Sequence, residues 1–144
     1  MSDCFLDRFL SKFAREVYMD FRDGEVFYSC RERSGSVPIV VYVTDDTGVP
    51  TLLSADPELP PSQAYRTINL LAVNEDLHPD ADRFAWLAAF IGCVIKKTNP
   101  PRALLKPRLV FQNSENLHNS FGVYYKTILD QAAILGGAMK CVFK

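Results

Sequence analysis

The feature that most constrains this chain is residues 84–95, FAWLAAFIGCVI, a run without a single polar side chain. Asp80 before the run suits a helix N-cap, and Lys96 and Lys97 after it suit the last turn of a helix that ends before Pro100. A helix that is apolar all round has to be covered all round. The sequence therefore predicts either the central helix of the domain or a helix with one face covered by a second chain.

The predicted helix has one side of small residues and another of large ones. Gly92 lies on the small side, and a mid-helix glycine costs about 1 kcal/mol relative to alanine. We therefore expect Gly92 to allow close approach of a neighbouring backbone. If a second chain covers the helix, Trp86 and Phe90 are predicted partner contacts, and a homodimer or a stable hetero-complex follows.

The N-terminal part of the chain has a helical pattern. Residues 3–22 predict an amphipathic helix that stops at Gly24, because apolar residues recur at i, i+3, i+4 and i+7. They are Leu6, Phe9, Leu10, Phe13, Val17 and Phe21.

Next come segments rich in β-branched and aromatic residues. EVFYSC (25–30) and VPIVVYV (37–43) predict an antiparallel hairpin that turns at RERSGS, and VPTLLSA (49–55) adds a third strand to a meander. Residues 62–76 fit a helix capped by Ser62, and they also contain a strand-like stretch, RTINLLAV. The helix is favoured for this segment.

The remainder predicts a strand at 107–112, a helix over 120–137 closed by Gly136-Gly137, and a last strand at 138–143. The chain has 144 residues, the usual size of one domain. Together these segments predict a single α+β domain over residues 1–144.

The cysteines bear on compartment and on metal binding. Cys4, Cys30, Cys93 and Cys141 are far apart in sequence, so no C-x-x-C pair exists. The N-terminus MSDCFLDRF does not resemble a secretory signal, and residues 84–95 are too short for a membrane span of about 20 residues. We therefore expect a cytoplasmic protein with free thiols and no membrane insertion.

Candidate catalytic and metal-binding residues are few. The two histidines, His78 and His118, have no ligand set with metal-binding spacing, so we expect neither a bound metal nor a cofactor. Glu115 and His118 share a face if their segment is helical, with His118 as general base and Glu115 orienting it. They are the weak catalytic candidates. No nucleophile elbow, phosphate-binding loop or dinucleotide fingerprint is present.

The charges are segregated, although the net charge is −1. From Asp45 to Asp82 there are eight acids and one base, and residues 96–108, KKTNPPRALLKPR, carry five bases and no acid. The predicted partner-binding cations are Lys96, Lys97, Arg102, Lys106 and Arg108. This stretch is either a solvated helix end with its loop or a dock for an acidic protein. A nucleic-acid groove is disfavoured because no aromatic residue is interleaved.

The predicted element order, a helix, a meander and then helices with short strands, resembles that of small secretion chaperones and toxin-immunity proteins. With no catalytic constellation and with segregated charge, it favours a non-enzymatic protein that binds another protein, as an inhibitor, immunity protein, chaperone or adaptor does. The alternatives are a small enzyme with a site assembled around His118, and nucleic-acid binding through residues 96–108.

Overall fold

The computed structural model describes residues 15–31, 33–44, 50–56, 65–71, 82–98 and 105–144. Within them the chain is mixed α+β, which confirms the predicted class. The strands are β1 (Glu16–Arg22), β2 (Glu25–Cys30), β3 (Arg33–Pro38), β4 (Val40–Thr44), β5 (Thr51–Ser54), β6 (Arg66–Asn69), β7 (Arg108–Gln112) and β8 (Lys140–Phe143). The helices are α1 (Arg83–Thr98), α2 (His118–Phe121) and α3 (Tyr125–Leu135), with a 3₁₀ turn at Ser114–Leu117.

A five-stranded sheet forms the larger layer, in the order β3-β2-β1-β7-β8. The pairs β1–β2 and β2–β3 are antiparallel, whereas β1–β7 and β7–β8 are parallel. From β1 the chain continues to one side of the sheet, and from β7 it continues to the other. The parallel pair β1–β7 is therefore the place where the strand order changes direction, with Gln112 beside Asp20 near its carboxyl end.

A three-stranded antiparallel sheet, in the order β5-β4-β6, joins the larger one through Ile39. The Ile39 N–H donates to the carbonyl of Gly24 (3.1 Å), and the Ile39 carbonyl accepts from the N–H of Leu70 (3.0 Å). The segment 37–43, predicted as one strand, is thus divided between β3 and β4. The predicted antiparallel hairpin is right only for Val37 and Pro38, which pair with Val26 and Glu25; the rest of β2 pairs with residues 33–36, where a turn was expected.

The predicted helix over 3–22 is wrong for residues 16–22, which form β1; residues 3–14 lie outside the described residues. Val17, Met19 and Phe21 alternate with half-buried or exposed positions and enter the core. Asp23 and Gly24 both have positive φ (54° and 76°), which is the backbone of a two-residue hairpin turn. Gly24 therefore lies in the turn between β1 and β2, and it does not end a helix.

The predicted helix over 62–76 is also wrong where it can be seen, because Arg66–Asn69 is strand β6, paired with β4. The local pattern of this segment fitted a helix and a strand alike, and pairing with β4 makes it a strand. The strands expected within 49–55, 107–112 and 138–143 are confirmed as β5, β7 and β8. The helix expected over 120–137 is interrupted at Gly122, whose φ is 78°, before α3 begins.

Helix α1 is the central helix, as one of the two predicted alternatives required. It packs against α3, β2 and β4, and its large apolar side chains are buried except that of Phe84, which is 38% exposed. Asp82 caps it, since its carboxylate accepts from the N–H of Ala85 (3.0 Å); Asp80, the predicted cap, lies outside the described residues.

The expectation that Gly92 allows close backbone approach is confirmed. A Cβ atom built on Gly92 would lie 3.1 Å from the carbonyl oxygen of Gly136, just after α3. One built on Gly136 would lie 2.8 Å from the carbonyl oxygen of Ala88. The two backbones therefore meet where neither has a side chain.

Candidate functional site

The predicted partner-binding cations that the structure describes gather at one edge of the protein. Lys96 and Lys97 end α1, while Lys106 and Arg108 lie where β7 begins; Arg102 lies outside the described residues. Lys140 is beside Arg108 in the neighbouring strand. Lys140 is four residues after Gly136. Gly136 contacts Gly92 of α1, and Lys96 is one helical turn after Gly92. We call Lys96, Lys97, Lys106, Arg108 and Lys140 the basic edge.

The members of the basic edge differ in how available they are. Lys96 and Lys106 are exposed, whereas Lys97 is half-buried. Arg108 forms an ion pair with Glu16, with 3.4 Å between Nη1 and Oε1. Lys96 and Lys106 are therefore the side chains best placed to meet an acidic partner.

A shallow groove of about 390 Å³ lies between the small-residue side of α1 and the end of α3. Leu135 flanks it with 65% of its surface exposed, and the neighbouring Ile134 is 45% exposed. We call it the docking groove; its lining residues are Ala55, Ala85, Ala88, Ala89, Gly92, Cys93, Lys96, Leu135 and Gly136. Its floor is apolar, and its rim carries Lys96 on one side. Asp56, next to Ala55, is close enough to Cys93 that it adds to burial in raising the pKa of that thiol. The groove therefore suits apolar side chains, with an acidic one at the Lys96 side.

Trp86 and Phe90 were predicted to contact a partner, but they face the chain's own core. Trp86 is 4% exposed and Phe90 is 1% exposed. The reason is that the large side of α1 packs against the sheets, which leaves only its small side near the surface. Neither residue can therefore contribute to a surface site in this structure.

The weak catalytic candidates, Glu115 and His118, lie on consecutive short turns, and both are exposed. The imidazole of His118 packs edge-on against Tyr125, with 5.9 Å between ring centroids. In the described part of the chain, Glu115 and His118 share no side-chain hydrogen bond or ion pair. No described contact with Glu115 orients the imidazole of His118. The catalytic role of the two residues therefore stays a prediction.

Within the described ranges, no group of three or more His, Cys, Asp or Glu side chains is placed to hold a metal ion. His78 lies outside those ranges. The expectation of a protein without bound metal therefore stays a prediction.

A second concave site, which the sequence analysis missed, opens on the face of the large sheet opposite Val17, Met19 and Phe21. This cleft has a volume of about 470 Å³ and lies over β1, β2 and β3, with Gln112 at the end of β7. We call it the sheet cleft; its lining residues are Tyr18, Asp20, Arg22, Phe27, Tyr28, Ser29, Ser34, Gly35, Ser36 and Gln112. It therefore lies over the antiparallel half of the sheet, beside the parallel pair β1–β7.

Asp20 is the centre of the polar network in the sheet cleft. The Asn113 side-chain amide donates to its Oδ1 (2.6 Å), and Arg22 Nε lies 2.9 Å from its Oδ2. The guanidinium of Arg22 also lies over the ring of Phe27, 4.4 Å from its centroid. Asn113 adopts a left-handed conformation (φ 54°), which asparagine tolerates better than most residues. These contacts hold both Asp20 and Arg22 in place.

Tyr18 forms the other end of the sheet cleft. Its hydroxyl donates to Glu16 Oε2 (3.0 Å), and this hydrogen bond is the main reason that the pKa of Tyr18 is raised. Tyr18 is therefore protonated at neutral pH, and its hydroxyl acts as a hydrogen-bond donor.

The described cysteines are free thiols in different environments. Cys141 Sγ donates to Asp130 Oδ1 (3.0 Å), and burial followed by this hydrogen bond raises the pKa of Cys141 to about 12. Burial also raises the pKa of Cys93, which lines the docking groove. Cys30 is buried.

These pKa shifts predict an order of reactivity, because the thiolate is the nucleophile. We expect Cys93 to react with maleimide at a rate that rises with pH over the alkaline range. Cys141 should remain slower at every pH below about 12. Peptide mapping by mass spectrometry after timed labelling measures both rates. Faster labelling of Cys141 than of Cys93 at pH 8 would contradict the described contact with Asp130.

No helix in the described ranges is both long enough and apolar enough to cross a membrane. No protein-family model matches the chain, and no curated protein matches it with significant similarity.

Proposed function

We propose that this chain acts by binding another protein, as an inhibitor, immunity protein, chaperone or adaptor does, and that it binds through the docking groove. One observation carries the proposal. Leu135 and Ile134 expose apolar surface beside the small-residue side of α1, where a second chain can approach the backbone closely. Exposed apolar surface at a groove is typical of protein-binding sites.

The chemistry of the groove indicates the kind of partner. Its floor of alanines and Gly92 admits short apolar side chains, and Lys96 with Lys106 offers positive charge along the basic edge. We therefore propose a partner segment that presents apolar side chains beside Asp or Glu. Opposite charges steer the two proteins together, and the buried apolar contact holds them.

We propose a different protein as the partner, since most large side chains of α1 are covered within its own chain and Phe84 alone among them is exposed in the described residues. A second copy remains a defined competitor for the docking groove. Light scattering over a wide concentration range, with wild type and a Leu135→Asp variant, separates the two cases. A monomer agrees with a different protein as the partner, whereas a dimer lost in the variant would contradict it.

The two other functions receive no specific support from the described contacts. Glu115 and His118 are not in mutual contact, and the basic edge has no aromatic side chain among its members. The proposed compartment is the cytoplasm, which agrees with free thiols at Cys30, Cys93 and Cys141.

The experiment begins with the partner that co-purifies from the native host and is identified by mass spectrometry. With that partner purified, a Lys96→Glu, Lys106→Glu double variant should associate about tenfold more slowly at low salt. The difference should shrink as salt rises. Stopped-flow fluorescence measures the association rate.

The matched control for this charge reversal is Lys126→Glu, because Lys126 is exposed on α3 outside the basic edge. It should leave the association rate near that of wild type. An equal loss in the control and in the double variant would show that only net charge matters, and would contradict docking at the basic edge.

A further inference from the structure

The sheet cleft has features of a second binding site, independent of the docking groove. It lies over the antiparallel strands β1, β2 and β3, with Gln112 of β7 at its edge, so side chains from four strands meet there. Most of its lining residues carry a polar side-chain atom, so a polar ligand can find hydrogen-bond partners there. Its side chains determine which class of polar ligand.

Arg22 is the group best prepared to bind such a ligand. Asp20 engages its Nε, and Arg22 Cζ lies 4.4 Å from the centroid of the Phe27 ring. The side chain of Arg22 is 52% exposed, so its two terminal nitrogens are within reach of a ligand. An arginine fixed in this way loses little conformational entropy on binding, and its planar fork matches an oxyanion.

The negative charge of Asp20 does not close the site to anions. Both carboxylate oxygens already have donors, Oδ1 from Asn113 and Oδ2 from Arg22. A further cation approaches from the side of Tyr18, where Lys144 Nζ lies 5.7 Å from the ring centroid. Of the other carboxylates on this face, Glu16 accepts from Tyr18 and pairs with Arg108, while Glu25 lies opposite Arg22 in the β1–β2 pair. An incoming anion therefore has to compete with these carboxylates for Arg22 and Lys144.

Hydroxyl and amide groups complete the lining. Ser29 faces Ser34 across the β2–β3 pair, and Ser36 faces Phe27. Gln112 adds a side-chain amide from β7. Serine hydroxyls and an amide donate hydrogen bonds to phosphate oxygens that a guanidinium does not reach.

We propose that the sheet cleft binds the phosphate group of a small phosphorylated molecule, with Arg22 as the principal ligand-binding residue. Asp20 and Asn113 act as positioning residues that hold the guanidinium over Phe27. This site does not depend on the docking groove, so each proposal can fail without the other.

The test is an NMR titration of ¹⁵N-labelled protein with glycerol 3-phosphate at constant ionic strength. We expect saturable shifts at the backbone amides of Ser29, Ser34 and Gln112. Glycerol, which lacks the phosphate, should give none. The absence of saturable shifts with glycerol 3-phosphate would overturn the proposal. It would do so even if a short oligothymidylate, tested separately, gave saturable shifts at the same amides.

Variants of Arg22 test the role of its guanidinium group. Arg22→Gln should raise the dissociation constant at least about tenfold, because charge-assisted hydrogen bonds are lost. Arg22→Lys keeps the charge but loses the paired donors, so it should bind more weakly than wild type. Wild-type affinity in Arg22→Lys would overturn the assignment of the fork.

Two further variants guard against a misfolded protein and a general charge effect. Ser36→Asp leaves Arg22 in place and adds a carboxylate opposite Phe27, over which the Arg22 guanidinium lies. It should abolish the shifts while leaving the melting temperature unchanged. Lys126→Gln removes a positive charge from another cation–aromatic pair, with Phe143, and should bind as wild type does. Normal binding by Ser36→Asp, or an equal loss in Lys126→Gln, would overturn the proposal.

Discussion

Replacing Gly136 by alanine is expected to lower the free energy of unfolding by about 2 kcal/mol, as overpacking of a tight contact does. The new Cβ would lie 2.8 Å from the carbonyl oxygen of Ala88 and 3.1 Å from the backbone nitrogen of Gly92. Both are backbone atoms, so α1 and the end of α3 would have to separate. Urea denaturation followed by circular dichroism measures the loss.

The matched control for this prediction is Gly35→Ala, the same chemical change in β3. Its Cβ would lie 2.6 Å from the hydroxyl oxygen of Tyr28, the far end of a flexible side chain that can move. We expect a loss well below that of Gly136→Ala. Equal losses in the two variants would contradict a backbone contact between α1 and the residue after α3.

Leu135→Asp is expected to weaken partner binding about a hundredfold, the effect of losing a central apolar contact in a protein interface. The introduced carboxylate would lie beside the docking groove and would face the acidic segment proposed for the partner. Because Leu135 is 65% exposed, the fold itself should be little affected. Isothermal titration calorimetry with the purified partner measures the change in affinity.

Val123→Asp provides the control for this substitution. Val123 is 69% exposed, slightly more than Leu135, but it precedes the N-terminal end of α3. It should bind the partner with wild-type affinity. A similar loss in both variants would indicate a general effect of added negative charge and would contradict docking at the groove.

The error at the N-terminus shows where a periodic pattern is ambiguous. Val17 and Phe21 are four residues apart, which fits one face of a helix and equally fits one face of a strand. Met19 decides between them, because it shares the strand face and leaves the helix face. The adjacent Asp23-Gly24 pair, between two alternating segments, was the available signal for a hairpin.

Helix α1 was predictable for the opposite reason. An uninterrupted apolar run fits only a covered element, and Gly92 within it indicated a close neighbour. The identity of that neighbour, Gly136, was not predictable because the contact joins residues far apart in sequence. The same limit applied to Trp86 and Phe90, whose burial depends on which side of α1 meets the sheets.

The sheet cleft could not be assembled from local sequence. Tyr18, Asp20 and Arg22 alternate along β1, and this is the pattern of any strand with one face open to solvent. Their significance comes from the parallel pairing of β1 with β7, which brings Gln112 and Asn113 to Asp20. That pairing joins strands about 90 residues apart, beyond the reach of local patterns.

The predicted partner-binding cations were identified because they lie close together in the sequence. The structure adds Lys140, which is distant in the sequence but pairs with Arg108. The resemblance of element order to secretion chaperones and toxin-immunity proteins rested partly on a helix over residues 3–22. Since residues 16–22 are strand β1, that resemblance no longer supports the protein-binding proposal. The support comes from the docking groove alone.

Labelling of Cys93 with and without the bound partner tests the protein-binding proposal most directly, since this thiol lines the docking groove. A Cys4→Ser variant removes the thiol that lies outside the described residues, and Cys141 provides an internal reference with a pKa of about 12. We predict that saturating partner slows maleimide labelling of Cys93 several-fold and leaves Cys141 unchanged. An unchanged rate at Cys93 in the saturated complex would contradict docking at this groove.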